Sequence, residues 1–222
     1  MLGFKLAIDG PAGSGKSTIS AKIAERLGWT HIDTGAMYRA VALLAIEKQI
    51  NLENEEEYTF LENVNIQYEN NTIYIGKKDV TEAIRRQDVT QYVSLVSSFP
   101  YVRKKLVSWQ KDASENGNII MDGRDIGTVV LPNADLKIFL TANVEERAQR
   151  RYDELVKKGK SQSINQVIEE ILVRDKKDST RKESPLKIAD DAILLDTTHL
   201  TIEEVVNKII ALIDKKENKH GD

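Results

Sequence analysis

The sequence predicts an α/β fold in three layers, a central parallel sheet with helices on both faces. Two observations carry that expectation. Short apolar runs of strand length, among them Phe4–Asp9, Asn118–Met121 and Leu136–Leu140, alternate along the chain with longer stretches of helical period. Strands separated by helices pair in parallel, because each helical crossover returns the chain to the same end of the sheet. A glycine-rich loop also stands between the first strand and the first helix, and open parallel sheets bind ligands at that end of their strands. The chain's 222 residues, 41% of them hydrophobic, suit one domain with insertions.

The strand Phe4–Asp9 runs through Gly10-Pro11-Ala12-Gly13-Ser14-Gly15-Lys16-Ser17-Thr18 into the helical stretch Ile19–Leu27. Gly10, Gly15, Lys16 and Ser17 have the spacing G-x-x-x-x-G-K-[ST] in the strand, loop, helix order that a P-loop requires. Gly10, Gly13 and Gly15 permit positive φ and bring bare N–H groups close to phosphate oxygens. The helix N-terminus adds partial positive charge, Lys16 is placed for the β- and γ-phosphates, and the Ser17 hydroxyl for the shell of a Mg2+ ion.

Trp29–Asp33 is a short strand candidate, and Thr34–Arg39 opens an apolar helix that continues to Ile46. Glu53–Glu57 reads as a helix start or a loop. Val64–Tyr68 and Thr72–Ile75 alternate with period two around Asn70-Asn71, a hairpin composition that suggests an inserted lobe over about residues 58–95. Thr81–Ser114 reads as helical with a break at Pro100. Asn118–Met121 is a buried strand that ends in Asp122-Gly123-Arg124-Asp125, and Leu136–Leu140 is another. A polar helix from Val144 to about Lys158 breaks at Gly159, Ile164–Lys177 is helical again, and Pro185 marks an exit. Ala192–Leu195 leads into a helix over Ile202–Asp214, beyond which the lysine-rich tail is expected to fray.

A net charge of −3 argues against nucleic acid as partner, since broad binding to phosphate backbones needs a basic face. No apolar run is long enough for a membrane span, and the first strand begins too early for a signal peptide. The absence of cysteine removes disulfides, thiolate catalysis and thiolate metal sites, and a cytoplasmic location is the expectation. His31, His199 and His220 lack metal-ligand spacing and read as structural or surface residues. Most of the 11 arginines lie in three neighbourhoods, Arg85–Arg124, Arg147–Arg151 and Arg174–Arg181, which suits bidentate grip on phosphate.

Polar clusters follow three of the strands: Asp9 with the P-loop, Asp33–Arg39 and Asp122–Asp125. In a parallel sheet all three converge on one rim. Asp122 is in the position of an acidic residue that holds Mg2+ or its waters. The Asn-Lys-x-Asp and Asp-x-x-Gly signatures of a GTPase switch do not occur. A nucleotide-dependent switch module therefore stands as the alternative, behind a small-molecule kinase with a second, arginine-rich phosphate site.

Four stretches bring a family into view: GPAGSGKST at Gly10–Thr18, DTGAMYRA at Asp33–Ala40, DGRDIGTVVLPNA at Asp122–Ala134, and RDKKDSTRKESPL at Arg174–Leu186. With the hairpin insertion, the chain resembles the nucleoside monophosphate kinases, most closely the bacterial cytidylate kinases, over essentially its whole length. The resemblance implies a P-loop kinase fold with an inserted monophosphate-binding lobe and a lid over about residues 157–185. It also implies transfer of the γ-phosphoryl group of ATP to CMP or dCMP, with Mg2+, in pyrimidine nucleotide metabolism, by a monomer acting on small molecules. Another monophosphate kinase, for UMP or AMP, is the alternative within the class.

Residue by residue, the resemblance gives ATP the whole loop Gly10, Pro11, Ala12, Gly13, Ser14, Gly15, Lys16, Ser17 and Thr18, with Arg147 and Arg151 beside it. Arg150 belongs to the same helical stretch, and the resemblance does not assign which of these three arginines meets which part of ATP. It makes Thr34, Arg39, Arg124 and Arg181 the monophosphate grip, with Thr34 keeping the hydroxyl where some relatives have Ser. Ser94, Arg103 and Asp125 correspond to residues that read the cytosine edge, Asp178 to one that takes a ribose hydroxyl. Lys16, Arg124, Arg181 and Asp122 are the expected catalytic group, Ser17 and Asp122 the metal-holding pair.

Overall fold

A computed structural model of the chain describes residues 3–69, 72–157, 159 and 161–218. In chain order its first elements are β1 (Lys5–Asp9), α1 (Lys16–Leu27), β2 (Thr30–Asp33) and α2 (Thr34–Glu47). A 3-10 segment (Glu55–Asn63) leads to β3 (Ile66–Glu69), β4 (Thr72–Ile75) and β5 (Lys78–Asp79). Short turns of helix at Ala83–Arg85, α3 (Gln87–Thr90) and α4 (Val93–Val96) precede α5 (Pro100–Ala113). β6 (Ile119–Gly123), a π-helical turn (Ile126–Val130), β7 (Leu136–Thr141), α6 (Val144–Lys157), α7 (Ile164–Thr180), β8 (Ile193–Asp196) and α8 (Ile202–Glu217) complete the chain.

Five strands form one parallel sheet in the order β2-β6-β1-β7-β8. Alternation along each strand divides the core into two. Leu6, Ile8, Ile120, Leu136, Ile138 and Leu140 face Ile19 and Ile23 of α1 and Val206 and Ile209 of α8. Ala7, Ile119 and Met121 point to the opposite face, against Val41 of α2 and Val102 and Leu106 of α5. The result is helix, sheet, helix, and the side chains are tightly enclosed: truncating fully buried Leu6 to alanine is expected to remove ~2–5 kcal/mol of stability.

A second, antiparallel sheet of β3, β4 and β5 lies in the stretch between α2 and β6, with Tyr68 opposite Ile73 and Tyr74 opposite Asp79. The expected turn at Asn70-Asn71 lies outside the described residues. β5 was not legible in the sequence, because two polar residues show no period. Thr81–Ser114 is not one helix broken at Pro100. It is three short turns that sink one or two apolar anchors each (Ile84; Val89; Val93 with Val96) into the core around α2, followed by a regular helix that begins at Pro100. Proline suits a first helical position, where its missing N–H would have no intrahelical partner. α8 runs three residues past the expected Asp214, to Glu217, with Ile209 and Ile213 on its buried face, and the rest of the tail from residue 219 lies outside the described residues.

α6 and α7 pair through Ala148, Leu155, Val167 and Ile171, a small apolar cluster of their own. The charged composition of this region concealed that anchor.

Candidate active site

The P-loop is shaped by contacts that only glycine allows. A Cβ at Gly10, where φ is +155°, would stand 2.0 Å from the carbonyl oxygen of Leu140 on the neighbouring strand β7. Gly13, at φ +73°, lies against Arg147, with a Cβ placed 3.0 Å from its carbonyl oxygen. Gly15 is left-handed and leaves the N-terminus of α1 without a side-chain cap or an acidic residue in its first turn. By contrast α7 and α8 close their own N-termini with capping boxes, Ser163 with Gln166 and Thr201 with Glu204. The open end of α1 leaves backbone donors for an anion.

Lys16 is buried in this loop and donates to the Pro11 carbonyl at 2.9 Å. Burial, reinforced by the facing Arg124, lowers its ammonium to about 7. Asp9 ends β1 beside it and accepts the amides of Ile126 and Gly127, each at 2.8 Å, which ties the P-loop strand to the turn after β6. Burial raises this carboxyl to about 6 even against those two bonds.

β6 lies between β1 and β2, so its end carries Asp122 into the middle of the site. Ser17 donates to Asp122 Oδ2 at 2.7 Å, while Asp122 Oδ1 stands 2.6 Å from His31 Nε2. Thr34 donates to the Asp122 carbonyl at 2.8 Å, fixing the start of α2 against the same strand end. Asp33 caps α2 by accepting from Ala36 N–H at 3.0 Å and also pairs with Arg39 at 2.7 Å. Burial alone would raise the Asp33 carboxyl, but Arg39 and His31 bring it below its ordinary value.

Beyond Asp122 the chain turns into a network of arginines and carboxylates. Arg103, buried on α5, pairs with Asp125 and donates to the Ser97 carbonyl at 3.2 Å. Arg181 reaches the other Asp125 oxygen at 3.4 Å and is steadied by the Ser184 carbonyl at 2.6 Å. Arg124 donates to Asp178 at 2.8 Å, and Ser94 approaches the second Asp178 oxygen at 3.4 Å. Asp178 is buried, yet Arg124 and Arg174 outweigh that burial and hold its carboxyl below the usual range. Arg174 stands 4.0 Å from Asp178 with its buried Nε unbonded, and the buried Nε of Arg39 is unbonded too. Buried guanidinium donors left open in this way suit an anion that completes the set.

A model of the cytidylate kinase family matches residues 6–215. A cytidylate kinase of Acholeplasma laidlawii is 62% identical over 213 residues, 96% of each chain, and one of Onion yellows phytoplasma is 52% identical over 97% of this chain and 98% of its own. The chain belongs to the cytidylate kinase family. It is accordingly an ATP-dependent phosphotransferase, a nucleotide kinase of that type. A crystal structure of an uncharacterized protein from Eubacterium ventriosum shares the fold, with TM-score 0.55 at 14% identity over 96% of this chain and 98% of that one.

Of the residues expected of a cytidylate kinase, the structure joins Ser17 and Thr34 to Asp122, Ser94 and Arg124 to Asp178, and Arg103 and Arg181 to Asp125, while Arg39 pairs with Asp33 and Lys16 bonds within its own loop, facing Arg124. The three arginines of α6 part company. Arg147 is buried and turned inward, donating to the carbonyls of Ala142 at 3.0 Å and Ala12 at 2.8 Å. Arg150 binds Thr197, and Arg151, half-buried, pairs with Glu154 at 3.1 Å. Asp9 and Arg174 stand in neighbourhoods the sequence pointed to, without a role of their own; His31, read as structural or surface, and Asp175 were not expected at the site. His31 had one usable signal, its place two residues before the polar cluster at Asp33, but nothing local shows that β6 will bring Asp122 against it.

Proposed function

We propose that this chain transfers the γ-phosphoryl group of ATP to CMP, and to dCMP, giving ADP and the cytidine diphosphate. The observation that carries the reading is Asp125 held between Arg103 and Arg181, one residue from Arg124, which faces Lys16 of the phosphate loop. A cytosine edge offers an N4 amino donor, which Asp125 and Ser94 would accept, and the N3 and O2 acceptors, which Arg103 would meet. Asp178 would take a ribose hydroxyl, and Thr34, Arg39, Arg124 and Arg181, joined by Arg174, would grip the monophosphate. The stretch of about residues 58–95 would serve as the monophosphate-binding lobe and that of about 157–185 as the lid. The enzyme would work in the cytoplasm as a monomer on small molecules.

The donor set suits Mg2+. Ser17 and Asp122 present hard oxygens 2.7 Å apart at the phosphate loop, and among the described residues no group of three or more His, Cys, Asp or Glu side chains forms a cage. Mg2+ commonly binds through one or two protein oxygens with phosphates and water completing its shell. When bound it would neutralise charge on the β- and γ-oxygens.

The remaining work falls to the chain's own groups. A CMP phosphate oxygen is already anionic, so no base and no covalent enzyme intermediate are required. Lys16 and the arginines would hold donor and acceptor in line and offset the charge that spreads over the transferring phosphoryl. Water must be excluded, because it would compete as acceptor.

ADP production from Mg-ATP with CMP, dCMP, UMP, AMP and GMP in turn tests the proposal. Acceptor-stimulated release with CMP and dCMP is expected. A preference for UMP or AMP would place the chain with another monophosphate kinase, and slow hydrolysis that no acceptor stimulates would indicate a switch.

A further inference from the structure

The inner face of α7 changes character along its length. Val167 and Ile171 pack on α6, and one and two turns later the same face presents Arg174, Asp175 and Asp178. Arg174 and Asp178 meet the acceptor-side network, but Asp175 turns to the P-loop. Its Oδ1 accepts the Ala12 amide at 3.0 Å, and its Oδ2 pairs with Arg147 Nη1 at 2.5 Å. Arg147 Nη1 in turn donates to the Ala12 carbonyl at 2.8 Å. Both backbone polar groups of Ala12, in two successive peptides of the loop, are thus held by one ion pair, with the acid on α7 and the base on α6.

We infer that Asp175 is a positioning residue for phosphoryl transfer: it seats α7 on the phosphate loop through Ala12 and Arg147 and so sets where its neighbour Arg174 stands. The inference deepens the proposed function and rests on it. Two features argue against a merely decorative ion pair. Arg147 is buried, and Asp175 is the one carboxylate that an ion pair gives it among the described residues, so the charge has little other compensation. Its contacts are also to a loop backbone that must keep its shape around a polyphosphate, so a shift of α7 would be felt at both nucleotides at once.

A loosened α7 has a chemical signature. With the helix seated, a CMP phosphate oxygen attacks the γ-phosphorus and the bond to the ADP oxygen breaks. With it loosened, a water oxygen makes the same attack, giving ADP, orthophosphate and a proton released to solvent.

The test measures CDP and orthophosphate together for wild type, Asp175→Asn and Asp175→Ala, with KM for ATP and for CMP and a thermal melt of each. Asp175→Asn keeps an acceptor for the Ala12 amide and removes the charge, so it remains informative should Asp175→Ala not fold. The expected result is a rise of about tenfold or more in the ratio of hydrolysis to transfer, with KM for ATP raised and the larger effect in Asp175→Ala. A structural role alone would lower the melting temperature and leave that ratio unchanged in the folded variants, and this outcome would overturn the inference. Wild type serves as the separate control: failure to make CDP there would count against the proposed function instead.

Discussion

Ser17 on the first turn of α1 donates its hydroxyl to Asp122 at the end of β6, across 2.7 Å and 105 residues of sequence. The bond joins the phosphate loop to the end of β6, the pair of oxygens that the proposed function assigns to a divalent ion. Asp122→Asn should therefore lower turnover by about 10²–10³, the scale of losing one electrostatic contact to the transferring group. It should also move half-maximal activity to higher free Mg2+. Initial rates against free Mg2+ check this, and an unchanged Mg2+ dependence would remove Asp122 from the metal site.

Lys16 has its ammonium lowered to about 7 by burial and by Arg124. At about pH 8 the nucleotide-free enzyme therefore holds this side chain largely neutral, and anionic phosphates placed beside it favour the charged form. Binding of ATP at that pH should take up protons, and the uptake should fade as the pH falls through 7. Titration calorimetry in buffers of different ionisation enthalpy reads the proton count directly. Absence of uptake at pH 8 would mean that Lys16 is already charged in the free enzyme or that phosphates do not meet it, and the Lys16→Met variant separates the two. Lys16→Met should lose turnover by about 10²–10³ while keeping its circular dichroism.

Asp125 is expected to select cytosine, since uracil places a carbonyl where the amino donor should be and sets oxygen against carboxylate. Asp125→Ala should lower the ratio of kcat/KM for CMP to that for UMP by at least about tenfold. The same variant leaves Arg103 buried without its partner, and a stability loss of about 3–5 kcal/mol should appear in denaturant unfolding. If the ratio holds while stability falls, Asp125 is a structural counter-ion and not a reader of the base.

The stretch 157–185 has Gly159 at φ +68° near one end and Pro185 at the other, with α7 between them. The lid role proposed for it predicts amide protection over α7 that increases strongly when CMP and a non-hydrolysable ATP analogue are both present. Hydrogen exchange of the free enzyme and of the ternary complex decides it. Equal protection in the two states would make α7 a fixed part of the core.

Local order was legible in the residues themselves. Gly10, Gly15, Lys16 and Ser17 announced the loop, and the unbroken apolar run Leu6, Ala7 and Ile8 announced a buried strand, because both are properties of neighbouring residues in the chain. The short turns between Ala83 and Val96 were not legible: their propensity is helical, and only the depth at which Ile84, Val89, Val93 and Val96 enter the core around α2 decides where each turn stops. Strand order was likewise beyond the sequence. Placing β6 between β2 and β1 is a choice of partners 89 and 114 residues away, and a periodic pattern states which face of a strand is apolar without stating its neighbour. That choice sets His31 and Ser17 on either side of Asp122, and the packing of α7 on α6 turns Asp175 to Ala12. Residue types and their spacing determined which groups were available to hold phosphate and base; tertiary packing alone decided which of them meet, because a hydrogen bond depends on distances in space that local sequence does not encode.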